Sequence, residues 1–235
     1  MKIFVVTAFP KLVRGPLDES IIKRAVGKEI VSIKILDLRD FTNDKHKQVD
    51  DYPYGGGAGM ILKPEPFFRA VEHIKAQEVL ENSSVILMTP QGKSYTQDRA
   101  KSLARESDLI FLCGHYKGID ERVREYLVTE EISIGDYVLT GGELAAAVVI
   151  DSVVRLLPGA IGDFDSALSD SFENGLLDCP YYTRPEGYRG MKVPQILLSG
   201  HHAEIEKWRK DKSLERTEIR RADLLGNIVK SIDQT

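Results

Sequence analysis

The chain has 235 residues, of which 42% are hydrophobic and 29% are charged, as expected for a globular protein with a sizeable core. Its formal net charge of −4 argues against a nucleic-acid partner, as far as composition can. Two cysteines, Cys113 and Cys179, exclude a disulfide framework and lack metal-ligand spacing. We therefore expect reduced thiols, no metal-ligating residues and a cytoplasmic location. No apolar run reaches the roughly 18 residues of a membrane span, and MKIFVVTAF is too short for a signal peptide, so we expect no membrane partner.

Short apolar segments alternate with helical patterns over residues 1–160. The apolar segments are rich in β-branched residues, as buried parallel strands are: MKIFVVT, VSIKILDL, SVILMTP and DLIFLCG. The helical patterns between them are LDESIIKRAVG, KPEPFFRAVEHIKAQ, TQDRAKSLARES and IDERVREYLVTE. Strands alternating with helices predict an α/β domain with a parallel sheet.

A glycine-rich segment, residues 55–59, lies within DDYPYGGGAGMILKP. A triphosphate-binding loop ends in Gly-Lys-Ser/Thr, but Met60 and Ile61 follow here, so that kind of site is excluded. A dinucleotide site needs G-x-G after the first strand, where this chain has AFPKLVRG. The glycines therefore serve either backbone angles and close approach to a flat ligand, or a loose surface loop.

Glycines recur where three later segments end: TPQGK (residues 89–93), LCGHYKG (112–118) and ISIGDYVLTGGELA (132–145). Three such turns at one edge of the sheet could surround a planar group such as adenine, and their backbone N–H and C=O groups could form hydrogen bonds with its edge. Tight turns and close helix–sheet contacts explain each of them equally well. The Ala-rich pattern GGELAAAVVIDSVVRLLPG that follows predicts a closely packed helix.

The alternation of apolar segments and helical patterns ends after residue 160. IGDFDSALSDSFENG is polar and predicts a flexible linker over residues 161–175. Residues 176–235 begin irregularly and end in HHAEIEKWRKDKSLERTEIRRADLLGNIVKSI, which predicts two or three helices. The chain is thus divided into an α/β domain (1–160), the linker, and a small all-helical C-terminal domain (176–235).

Several polar residues have ordinary structural explanations. Arg155, late in the Ala-rich helix, would favour the helix dipole, and Asp170 would cap a helix N-terminus. His201 and His202 are adjacent, point to different helix faces and do not make a metal site. Residues 201–221 hold seven Lys or Arg against five acids, with Trp208 among them. That pattern fits an RNA contact or a solvated helix face.

A set of motifs in fixed order nevertheless carries a resemblance: DDYPYGGGAGM, TPQGK, CGHYKGIDERV, SIGDYVLTGGELA, DSVVRLLPG, SDSF, GLLDCPYYTRP and VPQILLSGHHAEI. Over nearly the whole chain they are similar to the bacterial tRNA (guanine-N1)-methyltransferase family (TrmD family, SPOUT class). The resemblance implies methylation of the guanosine immediately 3′ of the anticodon by S-adenosylmethionine, with magnesium as a further candidate cofactor. It also implies a deep trefoil knot in the α/β domain, a tRNA-binding C-terminal domain, and a homodimer whose active site is shared between subunits.

The resemblance implies roles for individual residues as well. Asp170 in SDSF matches the general base of the family, Arg155 in DSVVR matches its catalytic arginine, and residues 54–59 match a loop near the target guanosine. The cofactor would be held by the three later turns, at Thr89, Pro90, Gln91, Gly92, Gly114, Tyr116, Ile134, Gly135, Asp136, Tyr137, Val138, Leu139, Gly141 and Gly142.

One departure from the family pattern reverses a charge. Lys117 stands where Glu is usual, near the methionine end of the cofactor, so the role of that acid toward the cofactor or magnesium does not carry over. Two alternatives are another SPOUT-class RNA methyltransferase and a non-catalytic RNA-binding protein on the same fold. SDSF and the helical tail argue against the first, and Asp170 with Arg155 against the second.

Overall fold

A computed structural model of the chain describes residues 1–78, 80, 83–161 and 170–226. The chain divides into two compact units, Met1–Gly162 and Asp163–Thr235. Most of the predicted linker, residues 162–169, lies outside the described residues. Among the described helices, none is long and apolar enough to cross a membrane.

The first unit alternates strands and helices along the chain. In order these are β1 (Lys2–Thr7), α1 (Pro10–Leu17), α2 (Ser20–Gly27), β2 (Ser32–Asp37), a 3-10 helix (Leu38–Phe41), β3 (Asp50–Asp51), β4 (Ile61–Leu62), α3 (Pro64–Glu78), β5 (Ser84–Ser94), α4 (Gln97–Leu103), β6 (Asp108–Cys113), α5 (Glu121–Tyr126), β7 (Glu130–Ser133) and α6 (Glu143–Val154). The predicted α/β class with a parallel sheet is confirmed.

A five-stranded sheet with the order β2-β1-β6-β5-β7 organises this unit, and every neighbouring pair in it is parallel. Four of the strands are the apolar segments predicted from the sequence. The fifth, β7, is only four residues long and begins with two glutamates, so its hydrophobic pattern is weak. Because helices cover both faces, the central strands are buried on both sides and read as continuous apolar runs.

Side chains alternate between two core layers along each strand. Ile3 and Val5 pack into a layer with α1, α2, α4 and α6, whereas Phe4 and Val6 pack into the opposite layer with α3. In α6, alanines and valines are buried almost without interruption, which lets this helix lie close to the sheet. Leu144 and Val148 are exceptions, with 49% and 51% of their surface exposed.

The second unit contains β8 (Gly187–Tyr188), β9 (Met191–Lys192), α7 (Gln195–Leu198) and α8 (His202–Arg220). The prediction of an all-helical domain was therefore wrong in one detail, since β8 and β9 form an antiparallel ladder. The turn between them has Arg189 at φ 51° and Gly190 at φ 80°. Two positive φ angles in succession are what a tight two-residue hairpin requires, and an arginine is an unusual residue to supply one of them.

Helix α8 packs against the irregular segment that precedes it. The hydroxyl of the buried Thr217 accepts a hydrogen bond from the backbone N–H of Leu177 at 2.9 Å, and Arg216 donates to the Asp178 carbonyl at 3.1 Å. Arg209 and Lys212 form ion pairs within the helix. Some basic residues of α8 thus form contacts within this unit, and the other basic residues of the helix are exposed.

Candidate active site

A cavity of about 200 Å³ opens at the carboxyl ends of β5, β6 and β7. This is the edge of a parallel sheet where ligands commonly bind, because the loops that follow the strands meet there. The three glycine-containing turns predicted from the sequence form its walls. Of the fourteen predicted cofactor residues, twelve line it: Thr89, Pro90, Gln91, Gly114, Tyr116, Ile134, Gly135, Tyr137, Val138, Leu139, Gly141 and Gly142.

Gly92 and Asp136 lie outside the cavity. A Cβ atom at Gly92 would fall 2.5 Å from the backbone of Glu131 and Ile132, so this glycine allows β5 to press against β7. The β5–β7 register also shifts between Met88 and Lys93. The position of Gly92 is explained by strand packing, whereas Asp136 is exposed beside the cavity-lining turn.

The turn after β7 returns across the ends of the neighbouring strands. The N–H of Gly142 donates to the Gly114 carbonyl at 2.8 Å, and His115 and Gly141 form an isolated antiparallel bridge. A Cβ at Gly142 would lie 3.1 Å from both the Cα of Cys113 and the Cβ of Met88. Glycine is therefore needed here for close approach, so that backbone forms the cavity wall.

The glycine-rich segment, residues 55–59, connects β3 to β4 beside the second cavity turn. Gly55, Gly56, Gly57 and Gly59 all have positive φ, between 77° and 113°. The segment is joined to the cavity rim because the N–H of Lys117 donates to the Met60 carbonyl at 3.0 Å. The glycines thus provide backbone angles that other residues rarely adopt, which favours the first of the two interpretations.

The charged side chains that line the cavity are basic. Lys117 and Arg124 contribute to the wall, and none of the described residues lining it is Asp or Glu. Arg124 donates to the Gln91 side chain at 2.5 Å and pairs with Glu131 at 3.5 Å. Arg124 therefore orients Gln91, one of the predicted cofactor residues.

Sequence reasoning missed two polar residues, His115 in the cavity wall and the buried Glu143 behind it. Glu143 is only 1% exposed, and its carboxylate accepts a hydrogen bond from the Thr7 hydroxyl at 2.7 Å. The Nδ1 atom of His115 lies 3.5 Å from the same carboxylate. Burial, and after it the charge of Glu143, raise the pKa of the Cys113 thiol well above its ordinary value. The available signal was one acid at the start of a helix whose next seven residues are apolar.

The two predicted catalytic residues belong to different compact units. Arg155 directly follows α6 and caps it, its N–H donating to the Asp151 carbonyl at 3.1 Å. Asp170 opens a turn rather than a helix, because its carbonyl accepts from the N–H of Glu173 at 3.2 Å. Both side chains are half-buried and have interaction partners within the structure.

The part of the chain that the structure describes holds no group of three or more His, Cys, Asp or Glu placed to bind a metal ion. His201 and His202, which open α8, are both exposed. A magnesium ion held by protein side chains alone does not fit this donor set.

Comparison with known proteins decides the family. A sequence profile of "tRNA (Guanine-1)-methyltransferase TrmD" matches residues 1–227. The chain belongs to the TrmD family. A TrmD relative in Anoxybacillus flavithermus, named tRNA (guanine-N(1)-)-methyltransferase, is 60% identical over 225 residues, covering 96% of this chain and 91% of its own.

Two further TrmD relatives carry the same name. The protein of Brevibacillus brevis is 59% identical over 228 residues, covering 97% of this chain and 93% of its own. The protein of Geobacillus kaustophilus is 57% identical over 225 residues, covering 96% and 91%. Similarity of this extent includes both compact units, so the TrmD assignment applies to the chain as a whole.

Proposed function

We propose that this TrmD-family protein is a tRNA methyltransferase that transfers a methyl group from S-adenosylmethionine to N1 of guanosine. The target is the guanosine immediately 3′ of the anticodon. One observation carries the proposal: the family match extends over both units, and the three turns named from the sequence surround one cavity. We also propose a cytoplasmic location, because the enzyme would have to meet its tRNA substrate there.

The cavity has the features that an adenosine ligand requires. Its walls are backbone at Gly114, Gly141 and Gly142. A Cβ atom would collide at Gly141, 2.2 Å from the Glu143 carboxylate, and would be tightly packed at Gly142 and Gly114, 3.1 and 3.3 Å from the nearest atoms. Backbone N–H and C=O groups can read the edge of a planar base, and apolar neighbours such as Leu139 and Ile134 can cover its faces. When bound there, S-adenosylmethionine supplies an electrophilic methyl group on sulfur.

The proton on guanine N1 must leave before the nitrogen lone pair can attack the methyl group. Asp170 is the proposed base that accepts this proton, and positioned bases of this kind contribute about 10²–10⁴-fold. Loss of the proton places negative charge on the guanine O6. Arg155 is the proposed donor to that oxygen, an interaction worth about 3–4 kcal/mol for comparable donors. No covalent intermediate is needed, so neither cysteine has a chemical role.

A homodimer with a shared active site follows from the same proposal. Support comes from exposed apolar side chains beside the cavity: Val138 is 83% exposed, Leu139 38%, Leu144 49% and Val148 51%. A second copy of the chain would cover such a surface. We also propose the deep trefoil knot, supported by the close passage of Gly142 against Cys113 and Met88 as the chain returns past β5 and β6.

The division into domain 1–160, linker 161–175 and tRNA-binding domain 176–235 is retained as part of the proposal. In α8, Lys207, Lys210 and Arg220 have no ion pair among the described residues and are exposed. These side chains are the proposed contacts to the tRNA backbone. Magnesium is given no step in the reaction, because the described residues do not provide a site for it.

The proposal is tested by methyl transfer to tRNA transcripts that differ only at the nucleotide 3′ of the anticodon. Radioactive S-adenosylmethionine should label the transcript with guanosine there and leave the adenosine transcript unlabelled, because adenine has an amine in place of the O6 proposed to bind Arg155, and its N1 offers no hydrogen bond to Asp170. Inosine keeps N1 and O6 but lacks the exocyclic amine, so its rate measures the contribution of that amine to recognition. Equal labelling of guanosine and adenosine transcripts would contradict the proposal.

A further inference from the structure

Behind the cavity lies a buried carboxylate that the proposed reaction does not use. Glu143 is the first residue of α6 and is 1% exposed, although acids are rarely buried without a charged or hydrogen-bonding partner. One of its oxygens accepts from the Thr7 hydroxyl at 2.7 Å. The other lies 3.5 Å from Nδ1 of His115. Glu143 lies in the first turn of α6, where the helix dipole favours a negative charge.

His115 links this carboxylate to the cavity wall. Its ring stacks on Phe9 with the ring centroids 4.1 Å apart, and it meets Tyr116 edge to face at 5.0 Å. Both His115 and Tyr116 line the cavity. Arg39 lies on Phe9, with its guanidinium carbon 5.3 Å from the ring centroid. The imidazole is therefore held by stacking, while the carboxylate determines which ring nitrogen donates.

Gly141 shows that the carboxylate–imidazole pair and the cofactor turn are fitted to each other. A Cβ atom at this position would lie 2.2 Å from Oε2 of Glu143 and 2.3 Å from Nδ1 of His115. The pair thus lies directly against the backbone of residue 141. It also lies where the two turns are joined, since His115 and Gly141 form a backbone bridge.

We propose that Glu143, acting through His115, is a positioning residue for the cofactor. The pair fixes the spacing between the turn at residues 114–116 and the turn at 139–142, between which the adenosine group would lie. This inference rests on the proposed function, because the ligand it concerns is S-adenosylmethionine. A purely structural role, in which Glu143 only ties α6 to β1 through Thr7, makes different predictions.

The test measures binding of S-adenosylhomocysteine by calorimetry without tRNA. Glu143→Gln keeps the size of the side chain and removes its charge, whereas His115→Phe keeps the stacked ring and removes Nδ1. Each should weaken binding about tenfold, and the double variant should be no weaker than either single one, because both changes remove the same interaction. Thr7→Val is the matched control and should change affinity less than about threefold, since it leaves the Glu143–His115 contact in place.

A second readout uses the free protein. Nitrogen-15 spectra of the histidine side chains should show His115 protonated at Nδ1, with its signals assigned by their loss in His115→Phe. Glu143→Gln should lower the population protonated at Nδ1 and Thr7→Val should not, whereas a purely structural role through Thr7 predicts the same tautomer in all three proteins. Unfolding temperatures establish that each variant is folded.

The outcomes separate this inference from the proposed function. If the wild-type protein binds S-adenosylhomocysteine and Glu143→Gln binds it equally well, the inference fails while the proposed function stands. Losses that multiply in the double variant would also overturn it. Failure of the folded wild-type protein to bind this ligand would overturn both.

Discussion

At the scale of single residues, the proposed chemistry depends on Asp170 more than on any other side chain. Asp170→Asn keeps the size of the side chain and removes its basicity. Methyl transfer should fall by about 10²–10⁴-fold, while the affinity for S-adenosylmethionine stays close to that of the wild type. Single-turnover kinetics and calorimetry measure the two quantities separately. Loss of cofactor binding in this variant would make Asp170 a structural residue instead.

Lys117 gives a second prediction at this scale. The described residues lining the cavity include no acid, and Lys117 and Arg124 make it basic. Lys117→Glu would place a carboxylate in the cavity wall, where the family resemblance implies the methionine end of the cofactor. We expect a change in cofactor affinity or in the magnesium dependence of transfer, measured by titration of both. Lys45→Glu, at an exposed position in the loop before β3, is the matched control. An effect no larger than that of the control would place Lys117 outside the site.

The ionisation of Glu78 predicts how the stability of the folded state depends on pH. Hydrogen bonds from Lys2 and Lys34 lower its pKa to about 2, from an ordinary value of 4.5. A lowered pKa means that the carboxylate stabilises the folded state above pH 4.5 and loses this contribution as the pH falls toward 2. Glu78→Gln should therefore lower the urea midpoint at pH 6 and show a smaller loss of stability between pH 5 and pH 3.5. Equal pH slopes for variant and wild type would contradict the assignment.

At the scale of elements, helix α6 connects the core, the cavity and the proposed dimer interface. Its buried face is formed by small and β-branched residues, its first residue is Glu143, and Arg155 follows its last residue. Leu144 and Val148 lie on its exposed face. One helix thus positions groups that face three different surroundings, so a change on one face can be tested independently of the others.

Leu144→Glu combined with Val148→Glu should separate the proposed dimer, because two charges would be buried without partners at the contact. Sedimentation should show the wild type as a dimer and the variant as a folded monomer with little methyl transfer. Ile219→Glu in α8, where the residue is 76% exposed, is the control and should remain dimeric. A monomeric variant with full activity would contradict the shared active site.

The elements also show how far the sequence could predict the structure. The four apolar strands were predictable because burial on both faces leaves a long hydrophobic run. Strand β7 was not, since it is short and starts with Glu130 and Glu131. The β8–β9 hairpin was missed because Arg189, not a typical turn residue, takes a positive φ angle.

The residues that line the cavity could be predicted from the sequence more readily than the structural reason for each of them. Glycines at three strand ends indicated a backbone-lined slot, and twelve of the fourteen residues named for it do line the cavity. What each glycine does depends on long-range packing, and the sequence does not reveal this. Gly92 makes room for β7, and Gly141 makes room for the Glu143–His115 pair. A residue that is proposed to act from behind the cavity wall, such as Glu143, is hard to identify from a sequence pattern.

At the scale of the whole molecule, two compact units each contribute one proposed catalytic group. Arg155 belongs to the unit that contains the cavity, and Asp170 belongs to the unit that contains α8. The proposed reaction requires both the base and the arginine at the target guanine. This division gives a reason for methyl transfer to await the correct RNA, because the cofactor turns by themselves lack the proton acceptor.

The most direct test of this account identifies the atom that receives the methyl group. Unmodified tRNA transcript is incubated with the protein and S-adenosylmethionine, digested to nucleosides and analysed by mass spectrometry against methylguanosine standards. The account predicts 1-methylguanosine, located by fragment mapping to the position immediately 3′ of the anticodon and formed about 10²–10⁴-fold more slowly with Asp170→Asn. A methyl group on another guanine atom, on a ribose hydroxyl or at another position in the tRNA would contradict it.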